Sequence, residues 1–189
     1  MKKVGICGDL HGIIPEKLMR DIELSQPDFI LQVGDYWHYQ TDWPVPVYWI
    51  TGNHENLVQT MSKTPQNNFM LEAGLHTIEG INIVALPSIP MPGNDPGPAF
   101  FKEEDYEKCM AIEEHVDIFM SHGCGYSFIV SVFGDFIQVE DKRITELINK
   151  LNPIYAISGH NHEYQKDIQN GIQLIRLGIN YDVYDMLFI

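Results

Sequence analysis

Short apolar runs, each closed by a polar block, organise this sequence. "KVGIC" (3–7), "DFILQV" (28–33), "VPVYWIT" (45–51), "VDIFM" (116–120) and "IYAIS" (154–158) show little polar alternation, which predicts strands covered on both faces. "PEKLMRDIEL" (15–24) predicts a helix with Pro15 in its first turn and Leu18, Met19 and Ile22 on one face. "KEEDYEKCMAIEEH" (102–115) and "DKRITELINKL" (141–151) predict two more, the latter stopped by Asn152-Pro153. "HTIEGINIVAL" (76–86) and "YQKDIQNGIQLIRL" (164–177) predict hairpins turning at Glu79-Gly80 and Asn170-Gly171, and "YDVYDMLFI" (181–189) predicts a final strand. The opening β-α-β-loop-β order predicts a mainly parallel sheet. "SIPMPGNDPGPAFF" (88–101) predicts a surface loop, a plain connector or part of an active-site rim. No repeat or linker interrupts the chain, so a single domain over residues 1–189 is expected.

The polar blocks change the picture. Five predicted strands end in Gly8-Asp9-Leu10-His11-Gly12, Gly34-Asp35, Gly52-Asn53-His54-Glu55, Ser121-His122-Gly123 and Gly159-His160-Asn161-His162. Ligand sites of α/β sheets gather beyond the carboxyl ends of strands, so these blocks are expected to converge. They supply four histidines, two aspartates and an asparagine as ligands: His11, His122, His160, His162, Asp9, Asp35 and Asn53. Seven donors exceed one tetrahedral site and suit two metals sharing a bridging carboxylate. Residues two apart in extended backbone point the same way, so Asp9 with His11, and His160 with His162, are expected to face one cavity.

Composition narrows the function. The 189 residues are 44% hydrophobic and 20% charged, with a net charge of −14. Binding to long nucleic acid or anionic membrane is disfavoured, because phosphate affinity needs concentrated Lys and Arg. "MKKVGICGDLHG" has too few apolar residues before Asp9 for a signal-peptide core, and no apolar run approaches the roughly 18 residues of a membrane span. Cys7, Cys109 and Cys124 form no CxxC or paired framework, so reduced thiols and a cytoplasmic location are expected. Cys7 and Cys109 read as buried small hydrophobes, and Cys124 falls in a polar loop. No Gly-x-Ser-x-Gly elbow or Gly-x-x-x-x-Gly-Lys loop is present.

The five blocks, in this order, resemble the calcineurin-like metallophosphoesterase family: Asp-x-His, Gly-Asp, Gly-Asn-His-Glu or -Asp, a His, then Gly-His-x-His. They span residues 8 to 162. The resemblance implies a four-layer α/β/β/α sandwich with two divalent metals at one end of the sheets. It implies Asp9, His11 and His162 on one metal, Asn53, His122 and His160 on the other, and Asp35 bridging. His54 matches the non-ligand histidine that approaches the substrate phosphate and leaving group. Glu55 is a candidate to brace Asn53 or His54. The implied chemistry is in-line attack on phosphorus by a metal-activated hydroxide, with His54 assisting the leaving alkoxide. Such mixed ligation admits Mn, the first expectation, and also Fe, Zn, Ni or Co.

Departures from the family pattern refine the substrate. Gly34-Asp35 runs into "YWHYQTDW" without the arginine of phosphoprotein and dinucleoside tetraphosphate phosphatases. Tyr36 and Trp37, with Tyr39 and Trp43 nearby, are candidates to stack a nucleobase, with core packing as their competing role. The expected substrate is a small phosphodiester or nucleotide. A nuclease on short single strands and a non-catalytic scaffold on the same fold are the alternatives, and the scaffold is disfavoured because His54 and every ligand are retained. Oligomeric state is not legible.

Overall fold

The computed structural model describes residues 1–11, 14–36, 42–54, 66–89, 101–126, 128–132, 135–139, 141–178 and 184–189. Trp37, Tyr39, Glu55 and most of the proline-rich 88–101 segment lie outside the described residues.

Two mixed sheets carry the fold. The first contains β1 (Lys3–Cys7), β2 (Phe29–Gln32), β3 (Val47–Trp49), β4 (Asn68–Met70) and β13 (Tyr184–Phe188), in the order β13-β1-β2-β3-β4. All pairs are parallel except β13 with β1. The second contains β5 (Gly74–Ile78), β6 (Ile81–Leu86), β7 (Ile118–Ser121), β10 (Tyr155–Ser158), β11 (Gln165–Gln169) and β12 (Ile172–Arg176), in the order β11-β12-β10-β7-β6-β5. Its inner pairs are parallel and its two edges are antiparallel hairpins. β8 (Phe128–Val132) and β9 (Asp135–Val139) form a separate antiparallel pair.

The two-residue period of strands sorts their side chains into three apolar layers. Val4, Ile6, Phe29 and Leu31 of the first sheet meet Ile83, Ala85, Ile118, Met120 and Ile157 of the second in the central core. Cys7, Ile30, Val47 and Trp49 face the other way, against Leu18 and Ile22 of α1 (Glu16–Ser25). Val84, Phe119, Ala156 and Leu174 face α2 (Glu103–Met110) and α3 (Lys142–Leu151), which contribute Tyr106, Cys109, Ile144, Leu147 and Ile148. Helix, sheet, sheet and helices thus stack as the expected four-layer α/β/β/α sandwich. Burial on both faces explains the unbroken apolar runs.

Local signals set the element ends. The Asp141 carboxylate accepts from the Arg143 and Ile144 amides at 3.0 and 3.2 Å, capping α3. Asn152 closes α3 in a left-handed conformation, just before Pro153. The second helix is shorter than its sequence suggests, ending at Met110. Both hairpins turn on two positive-φ residues, Glu79-Gly80 and Asn170-Gly171, as a type I′ turn requires.

Parallel pairing within each sheet brings the ends of β1, β2 and β3 together, and likewise those of β6, β7 and β10. The five polar blocks therefore approach from two facing sheets, and not from the single sheet that the opening β-α-β order suggests by itself.

Candidate metal centre

Backbone bonds between the strand-end loops build the site first. The Asp9 amide donates to Gly34 O, the His11 amide to Asp35 O, and the Gly159 amide to His122 O. Two close approaches demand glycine: a Cβ on Gly52 would collide with the Asp35 carboxylate, and one on Gly159 with the Asp9 carboxylate.

The blocks are not extended, contrary to the spacing argument. Asp9, His11, Asp35, His160 and His162 all have φ between 42° and 69°, the left-handed region that Asp, Asn and His tolerate better than other non-glycine residues. Asp9 and His11 still reach one place, where His162 Nε2 lies 3.0 Å from His11 Nε2 and 3.8 Å from Asp9 Oδ1. His160 and His162 diverge. His160 turns its Nδ1 to Asn53 Oδ1 at 2.9 Å, and His122 Nε2 meets the same oxygen at 2.8 Å. Two groups result, Asp9–His11–His162 and Asn53–His122–His160.

Asp35 stands between them. Its Oδ2 is buried and makes no hydrogen bond to the described residues, with His122 Nε2 at 3.3 Å and His11 Nε2 at 3.7 Å. Its Oδ1 accepts from the His54 amide at 2.9 Å. His54 is exposed at the mouth, its ring centroid 5.6 Å from that of His11.

The donor set fits cations. The Nδ1 of the fully buried His122 lies 2.8 Å from Val33 O, and a carbonyl can only accept, so Nδ1 carries the proton. In the neutral ring, Nε2 then presents a lone pair towards two further acceptors, Asn53 Oδ1 and Asp35 Oδ2. Only a proton or a cation satisfies three converging acceptors. Asp9, Asp35 and His122 also each offer a ligand atom within 4.8 Å of one another.

Four of the six titratable donors agree with this, and His122 and Asp9 shift the other way. Burial pushes the Asp35 carboxyl up, but the adjacent His122 imidazole, the His54 amide and His11 together bring it down to about 2. Burial and the nearby His122 lower His160 to about 4, and burial lowers His11 and His162 too, leaving neutral imidazoles as metal ligation requires. For His122 burial is outweighed by Asp35 and Asp9, which raise it. Asp9 is raised to about 7, chiefly by burial, against the lowering effects of His122 and the His160 amide. That amide donates to both Asp9 oxygens, at 3.0 and 2.9 Å.

The family of the chain follows from the whole pattern, because the model of the calcineurin-like phosphoesterases matches residues 2–164. The chain belongs to the calcineurin-like phosphoesterase family. Its membership implies a dinuclear divalent metal site, for which Asp9–His11–His162 and Asp9–Asp35–His122 are candidate ligand groups among the described residues. Solved structures share the fold of this calcineurin-like phosphoesterase. The protein TT1561 of Thermus thermophilus is 10% identical with a TM-score of 0.69, covering 94% of this chain and 89% of that one. GAP50, described as the anchor in the inner membrane complex of Plasmodium, is 13% identical with a TM-score of 0.55, covering 94% and 71%. The phosphopantetheinyl hydrolase PptH of Mycobacterium tuberculosis is 12% identical with a TM-score of 0.52, covering 98% and 95%. No curated protein sequence matches the chain.

Other expectations land differently. Tyr36 is not a stacking platform: it is fully buried against α1 and β3, its hydroxyl receives the Trp43 indole N–H and lies 3.2 Å from Asn68 Oδ1. The phenol needs those partners once buried, so the ring belongs to the core, as does Trp43. Trp37 lies outside the described residues. Cys124, expected in a polar loop, is 4% exposed, its thiol raised chiefly by burial. Cys7 and Cys109 are buried and unpaired. Sequence reasoning missed the left-handed Ser88, which follows β6; its hydroxyl lies 3.1 Å from that of Thr51. A lone serine within a proline-rich run carries no signal that would have found it. No described helix is long and apolar enough to cross a membrane.

Proposed function

We propose that residues 1–189 form a single metallophosphoesterase domain that hydrolyses a small phosphodiester or nucleotide with two divalent metal ions, Mn first among them. The observation that carries this reading is the buried Asp35 Oδ2, without a hydrogen bond to the described residues, between His122 of one ligand group and His11 of the other. Asp9, His11 and His162 would hold one ion, Asn53, His122 and His160 the second, and Asp35 both. Bound there, the ions would activate water and neutralise charge on phosphoryl oxygens.

The chain's own residues do the rest. Asp35 would place a negative charge between the two cations and offset their repulsion. Val33 O fixes the His122 tautomer, so Nε2 would be the atom that holds the ion. His54 is tied to Asp35 by its backbone but leaves its ring exposed. That ring can meet a leaving oxygen and donate a proton to it. Three buried, unpaired cysteines suit a reducing compartment, and we place the protein in the cytoplasm.

The test is a panel of phosphoesters on Mn-loaded protein: nitrophenyl mono- and diesters, cyclic nucleotides and short oligonucleotides. Turnover of the diester or of a nucleotide is the expected result. Preferred cleavage of oligonucleotides would favour the nuclease. No turnover with both ions bound would favour a scaffold, a role to which the anchor description of GAP50, on the same fold, lends weight.

A further inference from the structure

The structure assigns Cys124 as a positioning residue that ties the loop bearing His122 to the loop bearing His160 and His162. The inference rests on the metal-site reading above.

Cys124 lies two residues beyond His122 and is buried. Its thiol donates to Gly159 O at 3.1 Å and accepts from Asn161 Nδ2 at 3.2 Å, with Ser158 Oγ 3.1 Å away. All three partners belong to the end of β10 and the loop that follows it, and Asn161 sits between His160 and His162 in sequence. Backbone bonding runs the other way, from the Gly159 amide to His122 O at 3.1 Å. Gly159 is thus held on both sides by the His122–Cys124 segment, while its Cα faces the Asp9 carboxylate.

Arg176 of β12 braces the same junction from behind. It is 2% exposed, donates to Gly125 O at 3.4 Å, and lies near enough for its charge to act on the thiol. A cysteine in a core is ordinarily a small hydrophobe. This one is surrounded by polar partners. Partners behind a metal ligand orient it, and losing one typically costs about 10–100-fold in metal affinity or activity.

The test is calorimetric titration with Mn²⁺ alone, with the melting temperature of the metal-free protein recorded for each variant. Cys124→Ala should weaken at least one Mn²⁺ site by about 10–100-fold. Cys124→Ser should recover most of that affinity, because a hydroxyl can donate to Gly159 O and accept from Asn161. Asn161→Ala should weaken binding by a smaller factor, and the double variant should be no weaker than Cys124→Ala, since both changes cut one link. Asn161 is only half-buried, so its replacement should cost less stability, and it keeps the test alive if Cys124→Ala does not fold. Lowered melting temperatures with unchanged Mn²⁺ affinity in Cys124→Ala or Asn161→Ala would overturn the assignment. So would a Cys124→Ser variant as weak as Cys124→Ala. A wild-type chain that takes up no Mn²⁺ would overturn the metal-site reading itself, and the assignment with it.

Discussion

Nε2 of His122 faces Oδ1 of Asn53 at 2.8 Å, while the other ring nitrogen is committed to the Val33 carbonyl. Asp35 Oδ2 closes on the same nitrogen at 3.3 Å. Acceptors crowd together in this way where a cation is to be held. His122→Ala should therefore lose the second metal and slow every substrate, by metal analysis and kinetics on folded protein. Full metal occupancy in that variant would remove His122 from the ligand set.

His54→Ala should behave differently, because the ring is exposed and only its backbone touches Asp35. Both metals should stay. Turnover should fall by about 10²–10⁴-fold for a ribose alkoxide leaving group, and by less for nitrophenolate, which departs without a proton. Equal slowing on both substrates would leave His54 without a leaving-group role.

Asp9 holds a pH dependence that the metal-free protein should reveal. Its carboxyl sits at about 7 when folded, against an ordinary 3.8, chiefly through burial. Between those two values the folded chain binds more protons at Asp9 than the unfolded chain does, so this group's contribution to stability falls as pH rises. Asp9→Asn should therefore stabilise the metal-free fold at pH 8, by an amount on the order of a few kcal/mol at most. The gain should vanish near pH 4, while Mn²⁺ affinity drops at all pH values. Denaturant melts at the two pH values measure this, and an equal effect at both would contradict it.

Tyr36→Phe separates core from substrate contact. The phenol bonds Asn68 and receives the Trp43 indole inside the core. Its removal should cost about 1–3 kcal/mol of stability and leave KM for nucleotides unchanged. A raised KM with unchanged stability would restore the ring to the substrate site.

Much of this was legible in the chain. Runs such as "KVGIC" and "IYAIS" lack polar alternation because both faces of β1 and β10 are covered, and each ligand block follows the strand that aims it. Which strands share a sheet was not legible, because a buried run reads alike in either sheet. β4 escaped notice because Asn68-Phe69-Met70 is a three-residue edge strand with two exposed side chains. The left-handed backbone at Asp9, His11, Asp35, His160 and His162 is a property of loops packed on one another, and residue spacing alone suggested extended chain. Tyr36 misled for a related reason: an aromatic beside a site has the same composition whether it faces substrate or core. Cys124 shows the converse, a buried thiol whose partners come from the end of β10 and the loop after it, 34 to 37 residues away in sequence.

The central claim is a pair of divalent cations sharing Asp35, and Mn²⁺ stoichiometry tests it most directly. Calorimetric titration of the folded chain, checked by elemental analysis, should give two ions per chain. Asp35→Asn should disturb both sites, whereas Asp9→Asn should chiefly weaken one. A stoichiometry fixed at one under saturating Mn²⁺, or Asp35→Asn losing one ion and leaving the other untouched, would contradict the shared site.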